Sequence, residues 1–184
     1  DRAAALALLG EMTSELGEYA EAQKILTEAV PMARDSGNQT ALCRALYALG
    51  DVNWRLGKLD EARVALDESL ALARTLGDLT RELFALNRLG AVYIQVDLAQ
   101  CERFLMEVHT RAVAAGNRER AMTALNNLGM VAYERKDYSL ARDNFQQALA
   151  LARETGVQDM VALGLINLAD VDTLLGNLPA SRAA

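Results

Sequence analysis

Apolar residues recur along this chain at the spacing of a helix face, and the pattern itself repeats about every 40 residues. A Leu-Gly pair marks the repeat: Leu9-Gly10, Leu49-Gly50, Leu89-Gly90 and Leu128-Gly129, with Leu168-Ala169 in the fifth place. The steps between them are 40, 40, 39 and 40 residues. A second glycine series, Gly37, Gly77, Gly116 and Gly156, runs 13 residues ahead with steps of 40, 39 and 40. Two series with one period define a repeat architecture.

Each repeat reads as two helices. In the second, Leu42, Leu46, Leu49 and Asn53 fall on one face, and Leu56-Gly57-Lys58 breaks the run. Ala62, Leu66, Ser69, Leu70 and Ala73 then share a face of the next helix. Gly77 suits the left-handed position that closes a helix, and Asp78 or Asn117 suits the N-cap of the one that follows. The spacing predicts helices of about 14–17 residues, roughly 21–25 Å long. The units are then approximately 1–37, 38–77, 78–116, 117–156 and an incomplete 157–184, together one domain over 1–184.

The glycine of each Leu-Gly pair falls inside a helix, where it costs about 1 kcal/mol relative to alanine. Close approach of a second helix would offset this. The small residue 12 positions later, Ala22, Ala62 or Ala141, is the expected contact. The third repeat is one residue short, and Cys101 takes that place.

These residues resemble the tetratricopeptide repeat, in which a small residue on the first helix packs against an alanine on the second. The fourth unit matches best, with Leu128-Gly129, Tyr138, Ala141, Phe145 and Ala148. The first supplies Leu9-Gly10, Gly17, Tyr19, Ala22 and Ala29, and the second Leu49-Gly50, Gly57 and Ala62. The third is degenerate: Asp97 stands for glycine, and His109 and Arg111 sit where Leu70 and Leu72 do. The fifth has Ala169, Gly176 and Leu178, with Pro179 suited to a helix's first turn. The resemblance implies an all-α fold, a right-handed superhelical stack of about five antiparallel helix pairs, or α-solenoid. The 40-residue period is longer than the family's usual 34. It is similar to the repeats of kinesin light chains and of bacterial transcription activators of the maltose-regulon type.

Composition narrows the function. The chain is 52% hydrophobic and 24% charged, which excludes disorder as its default state. Its net charge of −6 repels phosphate backbones, so nucleic acid is not an expected partner. No apolar run reaches the ~18 residues of a membrane span, and no signal-peptide pattern opens the chain. Two cysteines, Cys43 and Cys101, are too few for an extracellular disulfide framework and read as reduced, buried side chains of a cytoplasmic protein.

Catalysis is not expected. His109, the single histidine, takes a slot held by leucine in other repeats and reads as a core or edge residue. No His, Cys, Asp or Glu set has metal-ligand spacing, and no phosphate-binding loop is present, so neither a metal nor a cofactor is expected. Asp170 and Asp172 read as solvated or capping groups.

The expected function is a non-catalytic scaffold that holds a protein or peptide. In a stack of hairpins the first helices line the concave wall. Its positions lie six and three residues before the Leu-Gly glycine and one and four after it, a single helical stripe. They include Arg44, Tyr47 and Trp54, then Phe84 and Asn87, then Asn126, Met130 and Tyr133. Tyr, Trp, Met and Arg are the residue types that interfaces favour. The resemblance implies that Asn126 and Asn87 bond a peptide backbone. Arg44, Tyr47 and Asn126 lead; Trp54 and Tyr133 read first as packing residues between adjacent helices. The wall is expected not to be strongly basic. The fifth first-helix is apolar nearly all round (Val161, Leu163, Leu165, Ile166, Leu168, Val171, Leu174 and Leu175), and such a helix expects burial on every side. Either the chain continues past Ala184, or this end docks on another subunit as in a homodimer. A self-associating regulatory or sensor segment of a larger bacterial signalling protein is the alternative reading.

Overall fold

The structure, a computed structural model, describes residues 2–94 and 96–176. Among the described residues it is all α-helix, with no strand: α1 (Arg2–Glu15), α2 (Tyr19–Asp35), α3 (Gln39–Arg55), α4 (Leu59–Leu76), α5 (Leu79–Tyr93), α6 (Leu98–Ala114), α7 (Arg118–Glu134), α8 (Tyr138–Thr155) and α9 (Gln158–Leu174). The helices alternate as the periodicity predicts. They gather into two compact units, Asp1–Val96 with α1–α5 and Asp97–Ala184 with α6–α9.

Turn chemistry fixes the boundaries. Gly37, Gly77, Gly116 and Gly156 all adopt positive φ, between 68° and 74°, and end the second helices. Polar side chains then cap the helices that follow. Asn38 accepts from the Ala41 N–H at 2.9 Å, Asp78 from Arg81 at 3.0 Å and Asn117 from Arg120 at 3.1 Å. Each satisfies an N–H that the helix itself leaves without a partner. Asp97 does the same for α6, accepting from the Ala99 and Gln100 N–H groups. The expectation that Asp97 replaces a turn glycine therefore needs correction. It is the N-cap of α6, and α5 has 15 residues where α3 and α7 have 17. The two units divide between α5 and α6.

In the first unit the hairpins α1–α2 and α3–α4 pack side by side, and α3 also touches both α1 and α5. The mid-helix glycines are explained by large side chains, more than by the alanines. A Cβ at Gly10 would lie 2.5 Å from Leu26 Cγ, and one at Gly50 2.6 Å from Leu66 Cγ and 3.2 Å from the Ala62 carbonyl oxygen. Ala22 and Ala62 are themselves fully buried and let the helices close in. Leu26 and Leu66 then fill the space left by the absent side chain.

The second unit repeats the device with a larger group. A Cβ at Gly129 would lie 2.5 Å from Phe145 Cε1, and Phe145 is buried against Ala132, Ala141 and Val171. Cys101 is buried in the alanine slot, and burial pushes its thiol pKa up to about 11. His109 is half-buried on α6, an edge position. Helix α9 departs from expectation: only Gly164 and Val171 are buried, while Leu165 is 48% and Ile166 60% exposed. Leu178 and Pro179 lie outside the described residues.

Candidate partner-binding groove

Helices α1, α3 and α5 wall a groove of about 370 Å³ in the first unit. The helical stripe brings Arg44 and Tyr47 from α3 and Phe84 from α5 into its lining. The Tyr47 and Phe84 rings lie 5.7 Å apart, tilted by 31°, within the range of favourable aromatic pairs. Trp54, one turn beyond Asp51, is half-buried; the Arg88 guanidinium lies 4.4 Å above its ring, and that of Arg55 lies 5.9 Å away. Asn87 is half-buried on α5 and does not line the groove.

Arginine is more prominent here than the stripe alone indicates. Arg55, Arg81 and Arg88 join Arg44 in the lining, with Glu11, Glu15 and Asp51 as acidic neighbours. Glu11 places Oε2 2.7 Å from Arg44 and Oε1 3.8 Å from Arg81. Asp51 places Oδ2 2.9 Å from Arg55 and Oδ1 2.6 Å from Arg88. The hydrogen bond from Arg55 to Asp51 holds the guanidinium pKa above its usual value. The expectation of a wall that is not strongly basic holds only in the sense that these arginines are paired. Glu11 and Ser14 occupy the first repeat's own stripe positions, one and four after Gly10, and were legible from the spacing. Arg81 and Arg88 lie off that stripe, and only the packing of α5 against α3 brings them in.

The second unit places its three candidates differently. Asn126 is 8% exposed, and its Oδ1 accepts from Asn167 Nδ2 at 3.0 Å, so an amide pair links α7 to α9. Met130 and Tyr133 line a smaller hollow of about 140 Å³ with Phe145, Asn167 and Asp170. Both also pack on the Phe145 cluster, and Tyr133 meets Tyr138 edge-on at 5.6 Å. Among the described residues no group of three or more His, Cys, Asp or Glu side chains is arranged to hold a metal ion. No helix among them is long and apolar enough to cross a membrane.

Helix pairs of near-constant length, glycine-closed and stacked within each unit, define a helical-repeat protein. The tetratricopeptide repeat model matches residues 1–75 and 81–154, and the chain belongs to that family. Among solved structures it is similar to BtubC (BKLC) from P. vanneervenii, at 20% identity and a TM-score of 0.83 over 99% of this chain and 78% of that one. The nearly identical TPR-like repeats assigned to a Podosopora anserina kinesin light chain are similar at 14% identity and a TM-score of 0.79, over 98% and 90%. So is the STAND protein with a tetratricopeptide repeat sensor, PH0952 from Pyrococcus horikoshii, at 18% identity and a TM-score of 0.76, over 93% and 26%. No curated protein matches the sequence. Repeats of this family generally serve as non-catalytic scaffolds for protein interaction.

Proposed function

We propose that the chain is a non-catalytic scaffold that holds a protein or peptide along its first helices, with the groove of α1, α3 and α5 as the seat. The observation that carries this is the lining itself: Arg44, Tyr47 and Phe84 converge from two helices on one open channel. Arginine and tyrosine supply much of the energy at protein interfaces because they combine apolar area with directional hydrogen bonding. Asn126, Met130 and Tyr133 are proposed as secondary contacts on the second unit. A cytoplasmic setting belongs to the reading and is in keeping with free Cys43 and Cys101. The test is capture of partners from the native cell lysate by wild type, by Arg44→Ala/Tyr47→Ala and by Asn126→Ala, with helicity checked by circular dichroism. A partner retained by wild type and lost by the first variant supports the groove. Equal capture by a folded double variant removes it.

A second reading, a self-associating regulatory or sensor segment of a larger signalling protein, is favoured by the exposed Leu163, Leu165, Ile166 and Leu174 of α9. The likeness to the PH0952 sensor is compatible with it. Light scattering on wild type and Ile166→Glu distinguishes the two. A dimer that the substitution dissociates favours self-association; a monomer in both argues against it.

A further inference from the structure

We infer that a second docking site lies between the second helices of the first unit, and that it takes a basic amphipathic helix of a partner protein. The site is a furrow of about 500 Å³ with α2 and α4 as its walls and α3 as its floor. It is independent of the groove proposed above. Leu46, Leu49 and Asn53 face it from α3, about half a turn of helix round from Arg44, Tyr47 and Asp51.

The furrow is tied at both ends and open between them. At one end the Lys58 ammonium donates to Gln23 Oε1 at 2.9 Å, and the Gln23 amide donates in turn to buried Asn53 at 2.5 Å. At the other, Arg34 of α2 lies 2.9 Å from Glu68 of α4. From Gln23 to Arg34 is 11 residues and from Lys58 to Glu68 is 10, so the ties stand roughly 16 Å apart along the helices. Between them Thr27 and Val64 form the walls, with side chains too short to close the gap, over a floor of Leu46 and Leu49.

Val64 marks this gap as a docking place. Two residues beyond the slot held by Ala22, Ala62, Cys101 and Ala141, the other second helices carry charges, Lys24, Arg103 and Asp143. Helix α4 alone among the four puts an apolar group there, and Val64 is 60% exposed. Covering it together with the apolar floor stabilises a complex. The rim sets the partner's sign. Lys58 and Arg34 stand against Asp60, Glu61 and Glu68, and the end ties engage Lys58, Arg34 and Glu68. Asp60 and Glu61 are left exposed, and among the described residues they make no ion pair. The unmatched charge is therefore negative and lies one helical turn from Val64. A partner helix with an apolar pair one turn from a basic pair, about 5 Å along its axis, sets its apolar side chains on Val64 and its cations on Asp60 and Glu61.

The probe is an acetylated, amidated Ala-Ala-Arg-Arg-Ala-Ala-Leu-Leu-Ala-Ala-Ala-Ala peptide, titrated calorimetrically against the whole chain. Versions with Glu-Glu for Arg-Arg and with Gln-Gln for Leu-Leu are the controls. The expected result is saturable binding of the Arg–Leu peptide only. Val64→Ser, an exposed change that circular dichroism should show to leave the helices intact, should weaken it about fivefold, equivalent to roughly 1 kcal/mol. Asp60→Asn/Glu61→Gln should weaken it by about as much and flatten its dependence on salt. Arg44→Ala/Tyr47→Ala should bind as wild type does, which keeps this site apart from the groove. No binding, equal binding of either control peptide, or wild-type affinity in Val64→Ser overturns the inference. So does an equal loss in Asp143→Asn/Glu134→Gln, which removes two exposed carboxylates from the second unit and would trace the binding to general acidity.

Discussion

Replacing Gly129 by alanine should destabilise the second unit, although alanine is the better helix former. The gain from helix propensity is about 1 kcal/mol. Against it stands the new methyl, whose Cβ would lie 2.5 Å, 2.6 Å and 3.0 Å from Phe145 Cε1, Cδ1 and Cζ. Favourable carbon contacts begin near 3.5 Å, and Phe145 is 1% exposed. Overpacking of a filled core costs roughly 1–3 kcal/mol. An overlap near 1 Å belongs at the upper end, which leaves a net loss of about 2 kcal/mol. Urea unfolding followed by circular dichroism measures it, with Gly164→Ala as the control. There the nearest atom, Leu149 Cβ, would be 3.2 Å away on the thinly buried helix α9, and the same change should be close to neutral. The cycle closes with Phe145→Ala, a background in which Gly129→Ala should turn stabilising because its obstacle is gone. Should Gly129→Ala unfold at the wild-type midpoint or above, the account of why glycine stands inside these helices is wrong.

Two other outcomes test the packing. Cys101 has a thiol pKa raised by burial from 9.0 to about 11, so the folded state keeps its proton where the unfolded state loses it. The stability this contributes is complete below pH 9.0 and is lost as pH rises through about 11. Unfolding midpoints measured across that window should fall less in Cys101→Ala, which restores the alanine found in the other repeats, and an equal fall in both proteins would contradict the assignment. Asn38→Ala removes the side chain that accepts from the Ala41 N–H at the start of α3 and should cost about 1 kcal/mol, whereas Asn38→Asp should retain most of the stability. Equal midpoints for wild type and Asn38→Ala would mean the cap contributes nothing.

Much of the architecture was legible in the sequence because its signals are local. A glycine at positive φ, a capping Asn or Asp and a run of alanine and leucine at helical spacing each act within one or two turns of chain. The same reasoning placed Arg44, Tyr47 and Phe84 on one wall, because a stripe position depends only on the rotation of a single helix.

What the tertiary structure decided was every property that needs two helices at once. Leu26, Leu66 and Phe145 fill the glycine gaps, where the spacing pointed to alanines, because a side chain's reach across a crossing cannot be counted along one strand of sequence. Asn126, a leading candidate for peptide contact, spends its carbonyl oxygen on Asn167, a partner 41 residues away. Helix α9 is apolar on all sides yet largely uncovered, since composition reports what a helix prefers to bury and not what lies beside it. The four arginines of the groove come from α3 and α5, and only the packing of α1, α3 and α5 makes Glu11 and Asp51 serve two guanidiniums each. Periodicity determines which face a residue takes; assembly determines what that face meets, because electrostatic and packing energies depend on distances that sequence separation does not encode.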